Sequence, residues 1–269
     1  MAARLERPDD HPGVALVTID RPDKANSLDP ATLRELAAAW RSIADDDQIR
    51  CAVLTGAGER VFCAGMDMAT TIPAAQRLAR GEKLDDETFQ GLRSVARALL
   101  AGFDLRTPLV CAVNGHARAG GFDLMLASEI RLAVPEATFA LEEVALGLYP
   151  TGNATVLLPR QIPWVHAQEL LLTARPIDAA RALEIGLINR IVPRERLLAE
   201  ALAVADRIAG NAPLAVSQTR RGVREILSLS LEEGYARQEE LGAPLRRTHD
   251  AREGQRAFLE KRAPVWQGR

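Results

Sequence analysis

The chain has 269 residues, 47% of them hydrophobic and 26% charged, which is typical of a globular protein that buries a large core without metals or disulfides. Its 34 basic and 36 acidic side chains give a net charge of −2, so no overall positive field attracts nucleic acid. The composition excludes largely disordered, collagen-like and coiled-coil chains.

The N-terminal segment and the cysteines indicate a compartment. The first 13 residues carry charges where a secretory signal needs an apolar core. No uncharged apolar run approaches the roughly 18 residues of a membrane span. Cys51, Cys63 and Cys111 are odd in number and each lies in an apolar run, a pattern typical of buried thiols in a reducing compartment. We therefore expect a cytoplasmic protein with no membrane partner.

Strand-like and helix-like segments alternate over the first half of the chain. Short β-rich runs indicate strands at 14–19, 51–55, 109–113 and 130–133. Periodic apolar residues predict helices over about 30–45, 86–102 and 121–128. Asp29 and Pro30 are suited to begin the first of these helices, as a cap and a first-turn proline. This alternation predicts an α/β fold with a largely parallel sheet.

From about residue 154 the chain becomes mainly helical. Asp178 and Gly186 are suited to begin and end one helix. Residues 194–262 show successive amphipathic helices, the first with an apolar stripe that must be buried on the core or on a neighbouring molecule. We expect a core with the functional site over 1–195 and a C-terminal helical region over 196–269.

Several common catalytic motifs are missing from the sequence. The chain has no dinucleotide-binding fingerprint, no phosphate-binding P-loop and no nucleophile elbow. Its four histidines are isolated, without the paired spacing of metal ligands. We expect no metal, and chemistry that uses carboxylates and backbone groups.

Three segments combine glycine-containing turns with acidic side chains. They are VFCAGMDM at 61–68, PLVCAVNGHARAGGFD at 108–123 and FALEEVALGLYP at 139–150. At these segments the sequence resembles the crotonase superfamily, that is, the enoyl-CoA hydratase/isomerase family. The resemblance extends from RPDKANSL at 21–28 to EGQRAFLEKRAPVW at 253–266.

The resemblance implies a fold and an activity. The fold is an α/β, crotonase-like spiral of ββα units with two roughly perpendicular sheets, followed by a C-terminal helical trimerisation region. The activity is that of an enoyl-CoA hydratase, a lyase of lipid and fatty acid metabolism that adds water to a 2-enoyl-CoA. Coenzyme A is then part of the substrate, and no separate cofactor is implied.

An oxyanion hole is the first element of such a site. Two backbone N–H groups stabilise the enolate oxygen of the thioester, and removing one such donor typically costs about 2.7–4 kcal/mol. By the resemblance, the donors are the amides of Met66 and Gly120. Taken alone, Gly120 and Gly121 are better explained by a plain tight turn or by close helix packing, and the neighbouring FCAGMD segment favours the oxyanion hole.

Two carboxylates provide the second element, because hydration needs one group to activate water and one to protonate the α-carbon. The resemblance assigns these roles to Glu143 and Asp123. Relatives carry a glutamate at the position of Asp123, and the shorter side chain could displace the carboxylate by about 1 Å, enough to cost on the order of 100-fold. Asp123 could instead cap its own helix. Glu142 is expected to be a surface or salt-bridge residue.

Substrate contacts are assigned by the same resemblance. The coenzyme A moiety contacts Lys24 and Ala25 in the first loop, and the segment after the second strand contributes Ala64, Asp67 and Met68. Phe258 and Lys261 lie in a motif that closes over the nucleotide, often from a neighbouring subunit. Lys261 could instead be a solvated helix residue, and for Phe258 packing in the core is the favoured interpretation.

Several activities remain open at this point. A Δ3-Δ2-enoyl-CoA isomerase needs one carboxylate instead of two, and other crotonase reactions share the same oxyanion hole. A non-enzymatic acyl-CoA-binding or assembly protein needs neither carboxylate. The resemblance also implies a homotrimer or a dimer of trimers, with an acyl-CoA thioester as the only other partner.

Overall fold

The computed structural model describes residues 2–269, which form a mixed α/β fold with two β-sheets. The strands in chain order are β1 (Ala3–Glu6), β2 (Val14–Ile19), β3 (Cys51–Gly56), β4 (Val61–Cys63), β5 (Leu109–Val113), β6 (His116–Arg118), β7 (Ile130–Ala133), β8 (Thr138–Ala140), β9 (Ile177–Asp178) and β10 (Arg190–Ile191). The helices are α1 (Pro30–Ala44), α2 (Thr71–Ala79), α3 (Asp86–Arg93), α4 (Val95–Ala98), α5 (Gly120–Leu126), α6 (Ala154–Gln161), α7 (Trp164–Thr173), α8 (Ala179–Glu184), α9 (Arg194–Ala209), α10 (Pro213–Ile226), α11 (Leu231–Gly242) and α12 (His249–Glu260). Short 3₁₀ helices occupy Pro22–Lys24, Glu143–Leu146 and Pro244–Arg247.

The larger sheet has six strands in the order β1-β2-β3-β5-β7-β10. Strand β1 is antiparallel to β2, and every other neighbouring pair is parallel. The four predicted strands of the first half all belong to this sheet, and three of them have the predicted bounds. The predicted parallel sheet is therefore confirmed.

The smaller sheet, with the order β4-β6-β8-β9, was not predicted strand by strand. Its strands have at most three residues, too few for an alternating pattern to show in the sequence. Strands β4, β6 and β8 are parallel. This sheet positions the site, because the segments that follow β4 and β6 carry the predicted oxyanion donors.

Helix α1 begins as the sequence predicts. Asp29 caps it by accepting a hydrogen bond from the Thr32 amide at 2.8 Å, and the indole of Trp40 is fully buried and donates to the carbonyl of Ala98 at 2.9 Å. The stretch predicted as one helix over 86–102 is divided into α3 and α4, and the chain turns at Leu100 with a left-handed φ of 55°.

The first C-terminal helix, α9, packs on β3 and β5 of the larger sheet. Its predicted apolar stripe is therefore buried mainly on the chain's own core, with Leu197, Ala201, Leu202, Ala205 and Ala209 buried.

Helix α12 is fixed by the C-terminal tail, since the Asp250 carboxylate accepts hydrogen bonds from the amides of Gln267 and Gly268, both at 2.8 Å. Across residues 2–269, no helix is both long and apolar enough to cross a bilayer.

A buried arginine supports the short helix α5 from its C-terminal end. Arg131 donates hydrogen bonds to the carbonyls of Met125 and Leu126, each at 3.1 Å, and to that of Ser128 at 2.9 Å. The last carbonyls of a helix lack intrahelical partners, and a positive charge there also interacts favourably with the helix dipole. Arg131 thus fixes the position of α5 relative to β7.

Candidate active site

The loop 21–28 lies directly against the segment that follows β4. The Ala64 amide donates to the carbonyl of Ala25 at 3.1 Å. The side-chain amide of Asn26 donates to the carbonyls of Ala57 and Val61 at 2.9 and 2.8 Å. Two of the predicted substrate contacts, Ala25 and Ala64, are therefore adjacent although they are far apart in the sequence.

The Met66 amide is directed away from this loop. Leu28 and Met66 form an isolated parallel bridge, in which the Leu28 amide donates to the Gly65 carbonyl at 2.8 Å and the Asp67 amide donates to the Leu28 carbonyl at 3.1 Å. In a parallel ladder, one residue bonds to the two neighbours of the residue it faces. The N–H group of Met66 consequently points to the opposite side, where α5 begins.

The Gly120 amide reaches the same place from α5. Gly65 has a φ of +85°, and a Cβ atom built on it would lie 2.9 Å from the nitrogen of Gly120, so only glycine permits this approach. Gly120 opens α5, and first-turn amides lack intrahelical acceptors. Ala119 precedes it with φ 44° and ψ −119°, a strained conformation for a residue with a side chain. Two backbone donors thus lie side by side, as an oxyanion hole requires.

Asp123 caps a different helix from the one expected. Its Oδ1 accepts hydrogen bonds from the amides of Asn153 at 2.7 Å and Ala154 at 2.6 Å, where α6 begins, and not from its own helix α5. Asn153 also donates through its side chain to the Asp123 carbonyl at 2.9 Å. The carboxylate is buried, and one of its oxygens is free of these amides.

Glu143 opens the 3₁₀ turn that follows β8. Its Oε2 is buried and accepts no hydrogen bond from residues 2–269, and burial raises the pKa of this carboxyl above its ordinary value. Burial, together with the negative charge of Glu143, raises the pKa of Asp123 to about 7. The fold thus brings together two carboxyl groups that lie 20 residues apart in the sequence, and both take up a proton more readily than usual.

Two other acidic residues are occupied by neighbouring side chains. Glu142 forms a salt bridge with Arg118 at 3.2 Å, as expected from the sequence. The Asp67 carboxylate is buried and accepts hydrogen bonds from the Ser27 hydroxyl at 3.0 Å and the Ala69 amide at 2.9 Å. Burial alone would raise the pKa of Asp67, but these bonds hold it below its ordinary value. The amide and carbonyl of Asp67 are also hydrogen-bonded within the chain, so its contact with the substrate stays a prediction.

The remaining predicted contacts lie in different surroundings. Lys24 is exposed within the loop 21–28, and Met68 is 62% exposed just after Asp67. Phe258 and Lys261 belong to the end of α12, which packs on the turn Pro244–Arg247. Phe258 is 84% exposed, so the expectation that it packs in the core of its own chain is wrong. That both residues contact the nucleotide end of coenzyme A stays a prediction, and this contact requires a second subunit.

Sequence reasoning missed two residues that hold Asp123. Asn153 supplies one of the two amides, and Gly152 makes room for the carboxylate, since a Cβ atom built on Gly152 would lie 2.1 Å from Asp123 Oδ2. The Thr151-Gly-Asn sequence directly after Pro150 is a turn signal. It does not reveal which side chain the turn receives.

Comparisons with known proteins all indicate the same family. The family model described as enoyl-CoA hydratase/isomerase matches residues 9–269. The enoyl-CoA hydratase EchA19 of Mycobacterium tuberculosis is 41% identical over 94% of this chain and 93% of its own. The carnitinyl-CoA dehydratase of Proteus mirabilis is 39% identical over 94% of both chains. The crystal structure of an enoyl-CoA hydratase from Bacillus anthracis superposes with a TM-score of 0.89, at 31% identity and over 100% of both chains.

The space beside Asp123 provides a steric test. In the variant Gly152→Ala, the added methyl group must displace the Asp123 carboxylate, and a shift of about 1 Å is expected to lower the turnover of the enzyme on the order of 100-fold. Gly242→Ala is the matched control, because a Cβ atom there meets nothing within 4 Å. Steady-state kinetics checks this, and equal rates for the two variants would show that the position of the carboxylate is unimportant.

The raised pKa of Asp123 predicts a stability that depends on pH. The carboxyl is protonated in both folded and unfolded chains below its ordinary pKa of 3.8. As the pH rises from there through about 7, the unfolded chain loses this proton first, so folding becomes less favourable by about 1.4 kcal/mol for each unit of raised pKa.

The variant Asp123→Asn removes that penalty while its side-chain oxygen still accepts the two amides. We expect its melting temperature to exceed that of the wild type by about 10 °C at pH 8.5 and to match it near pH 4. Calorimetric melts at both pH values test this. A variant that is less stable at pH 8.5 would contradict the raised pKa.

Proposed function

The chain belongs to the enoyl-CoA hydratase/isomerase family, and we propose that it adds water across the double bond of a 2-enoyl-CoA thioester. The relatives mark it as an enzyme of the hydro-lyase type. Hydratases and dehydratases catalyse the same kind of reversible step in opposite directions, so both names agree with this chemistry. The observation that carries the proposal is the pair of proton-accepting carboxyl groups, Asp123 and Glu143, near two unpaired backbone donors.

The oxyanion hole would govern the electronic part of the reaction. The thioester oxygen accepts hydrogen bonds from the Met66 and Gly120 amides. These bonds strengthen as water adds to the β-carbon and negative charge develops on the oxygen. Because both donors belong to backbone held in place by the Leu28 bridge and by α5, they need no reorientation during the reaction.

The two carboxyl groups would divide the proton transfers. At rest, the charge of Glu143 favours a proton on Asp123, and the pair passes this proton to Glu143 before the reaction. Asp123 then accepts a proton from the attacking water, whose hydroxyl bonds to the β-carbon, and Glu143 gives its proton to the α-carbon of the enolate, which restores the starting state. The balance is one water added for each double bond lost. A pKa of about 7 suits a group that must accept and release a proton near neutral pH.

An isomerase is the second candidate, and one observation favours it. One oxygen of Asp123 already accepts two amide hydrogen bonds, which is the arrangement of a structural cap as much as of a base. Glu143 has no such bonds on its buried oxygen. If Asp123 is only structural, Glu143 alone could move a proton between the α- and γ-carbons of a 3-enoyl-CoA.

We also propose that the chain works as a homotrimer or a dimer of trimers in the cytoplasm, in lipid metabolism. Helices α10 to α12 and the turn between α10 and α11 expose a set of large apolar side chains, namely Val223, Leu227, Leu229, Leu231, Tyr235, Phe258 and Leu259. Exposed apolar side chains concentrated in one region are typical of protein–protein interaction sites. In such an assembly, α12 of one subunit would bring Phe258 and Lys261 to the nucleotide of another. The C-terminal region proposed for this role spans 196–269, although α9 itself packs on the core.

Paired substitutions separate the two enzymatic candidates. Glu143→Gln should abolish most hydration and most isomerisation while leaving the affinity for CoA esters unchanged, because it removes a proton and little volume. Asp123→Asn should lose at least about 100-fold in hydration and keep isomerisation. Both rates are measured on purified protein with 2-enoyl-CoA and 3-enoyl-CoA substrates. Equal residual rates in Asp123→Asn would support a purely structural Asp123, and wild-type turnover in Glu143→Gln would remove Glu143 from the mechanism.

The proposed assembly is tested on the exposed end of α12. Phe258→Asp and Leu259→Asp introduce charges where a single chain is already exposed, so its own fold should persist, as a thermal melt can check. We expect each variant to dissociate toward the 29.2 kDa chain mass in light scattering, with a raised KM for the CoA ester. A wild-type protein that is active as a 29.2 kDa species would refute the proposal.

A further inference from the structure

A cleft of about 710 Å³ lies between α1 and the α3–α4 segment, outside the candidate active site. Its first wall is a single face of α1, where Arg34, Ala37 and Arg41 recur at helical spacing. The second wall carries Arg93 and Arg97, one turn apart, and ends at the ring of Phe103. The volume lies within the range of small-molecule sites.

The charge of this cleft is unbalanced. Four arginines line it, and none of the lining residues is acidic. Arg34 is the only one of the four that forms a salt bridge, with Glu87. For Arg41, Arg93 and Arg97, no carboxylate of residues 2–269 lies within 4 Å. Arg97 is half-buried, and Arg41 and Arg93 are exposed at the rim of the cleft.

The side chains of Arg93 and Arg97 are held in place by aromatic rings. The guanidinium carbon of Arg97 lies 5.1 Å from the centre of the Phe103 ring, and that of Arg93 lies 5.8 Å from the centre of the Phe89 ring. These are cation–π distances. The Nε of Arg97 is buried and donates no hydrogen bond within residues 2–269, so this guanidinium is positioned without a polar acceptor of its own.

We propose that this cleft binds a small organic polyphosphate of the nucleotide class. Planar guanidinium groups match phosphate oxygens in pairs, and three of them without a carboxylate suit two or more phosphate groups. Small residues such as Ala37 and Ala96 leave room between the helices. The bounded volume favours a small molecule over a nucleic acid, which needs a long basic track.

The cleft is connected to the catalytic backbone through α1. This helix begins at Pro30, two residues after Leu28, which forms the bridge to Met66. Gly91 of α3 packs so closely on Pro30 that a Cβ atom there would lie 2.4 Å from the proline Cβ. A ligand that draws the two walls together would therefore act on the segment that carries an oxyanion donor.

Calorimetric titration of the full-length protein with ADP and with inorganic pyrophosphate tests the proposal. We expect one ADP per chain, with an affinity that falls as NaCl is raised from about 20 to about 200 mM. The double variant Arg93→Gln/Arg97→Gln should bind ADP at least about tenfold more weakly, because charged hydrogen bonds are lost. The matched control Arg175→Gln/Arg190→Gln removes the same charge from exposed arginines outside the cleft and should bind ADP as the wild type does.

A titration with coenzyme A separates two sources of the nucleotide. Two molecules of coenzyme A per chain, one of them lost in the double variant, would identify the ligand as the nucleotide end of coenzyme A. One molecule, with ADP still binding to the saturated protein, would identify a free nucleotide. The proposal is overturned if ADP does not bind, if the double variant binds it unchanged, or if the control loses as much affinity as the double variant.

Discussion

Two stretches of backbone, at Gly65 and Gly120, must approach each other closely enough to direct two N–H groups at one point, and the rest of the site depends on that approach. A side chain at Gly65 would collide with the Gly120 nitrogen. The bridge between Leu28 and Met66 turns one amide outward, and the start of α5 supplies the other. The two sheets serve this geometry, since β4 and β6 end just before the two donors.

The acids near this point are subject to opposing demands. Burial raises the pKa of Asp123 and Glu143, which suits proton transfer but makes ionisation unfavourable in the folded chain. The amides that begin α6 offset part of this cost for Asp123, because they donate to its ionised form. Glu143 has no such compensation on its buried oxygen. The two acids are thus chemically distinct although both are carboxyl groups.

Much of the larger sheet could be predicted because its buried strands are continuous apolar runs, as at Leu109–Val113. The strands of the smaller sheet were not predictable, since three residues carry no period. The residues of the site could be named from a family resemblance, but their surroundings could not. The amides that hold Asp123 lie 30 residues further along the chain, and no local pattern indicates that pairing. The exposure of Phe258 was missed for a related reason, because an aromatic residue at a helix end is compatible with both a core and an interface.

Helix α5 has seven residues and is about 10 Å long. One end carries the Gly120 amide, the proposed oxyanion donor, and the carbonyls of the other end are held by Arg131. So short a helix behaves as a rigid rod, with no flexible turns in which a displacement at one end could be absorbed. A substitution of Arg131 would then appear in an enzyme assay as an active-site defect, although its guanidinium is buried at the opposite end of the helix from the Gly120 amide. Kinetic assays alone would wrongly assign such a residue to the active site. Natural substitutions at the C-terminal end of α5 can therefore change the reaction rate while both acids stay unchanged.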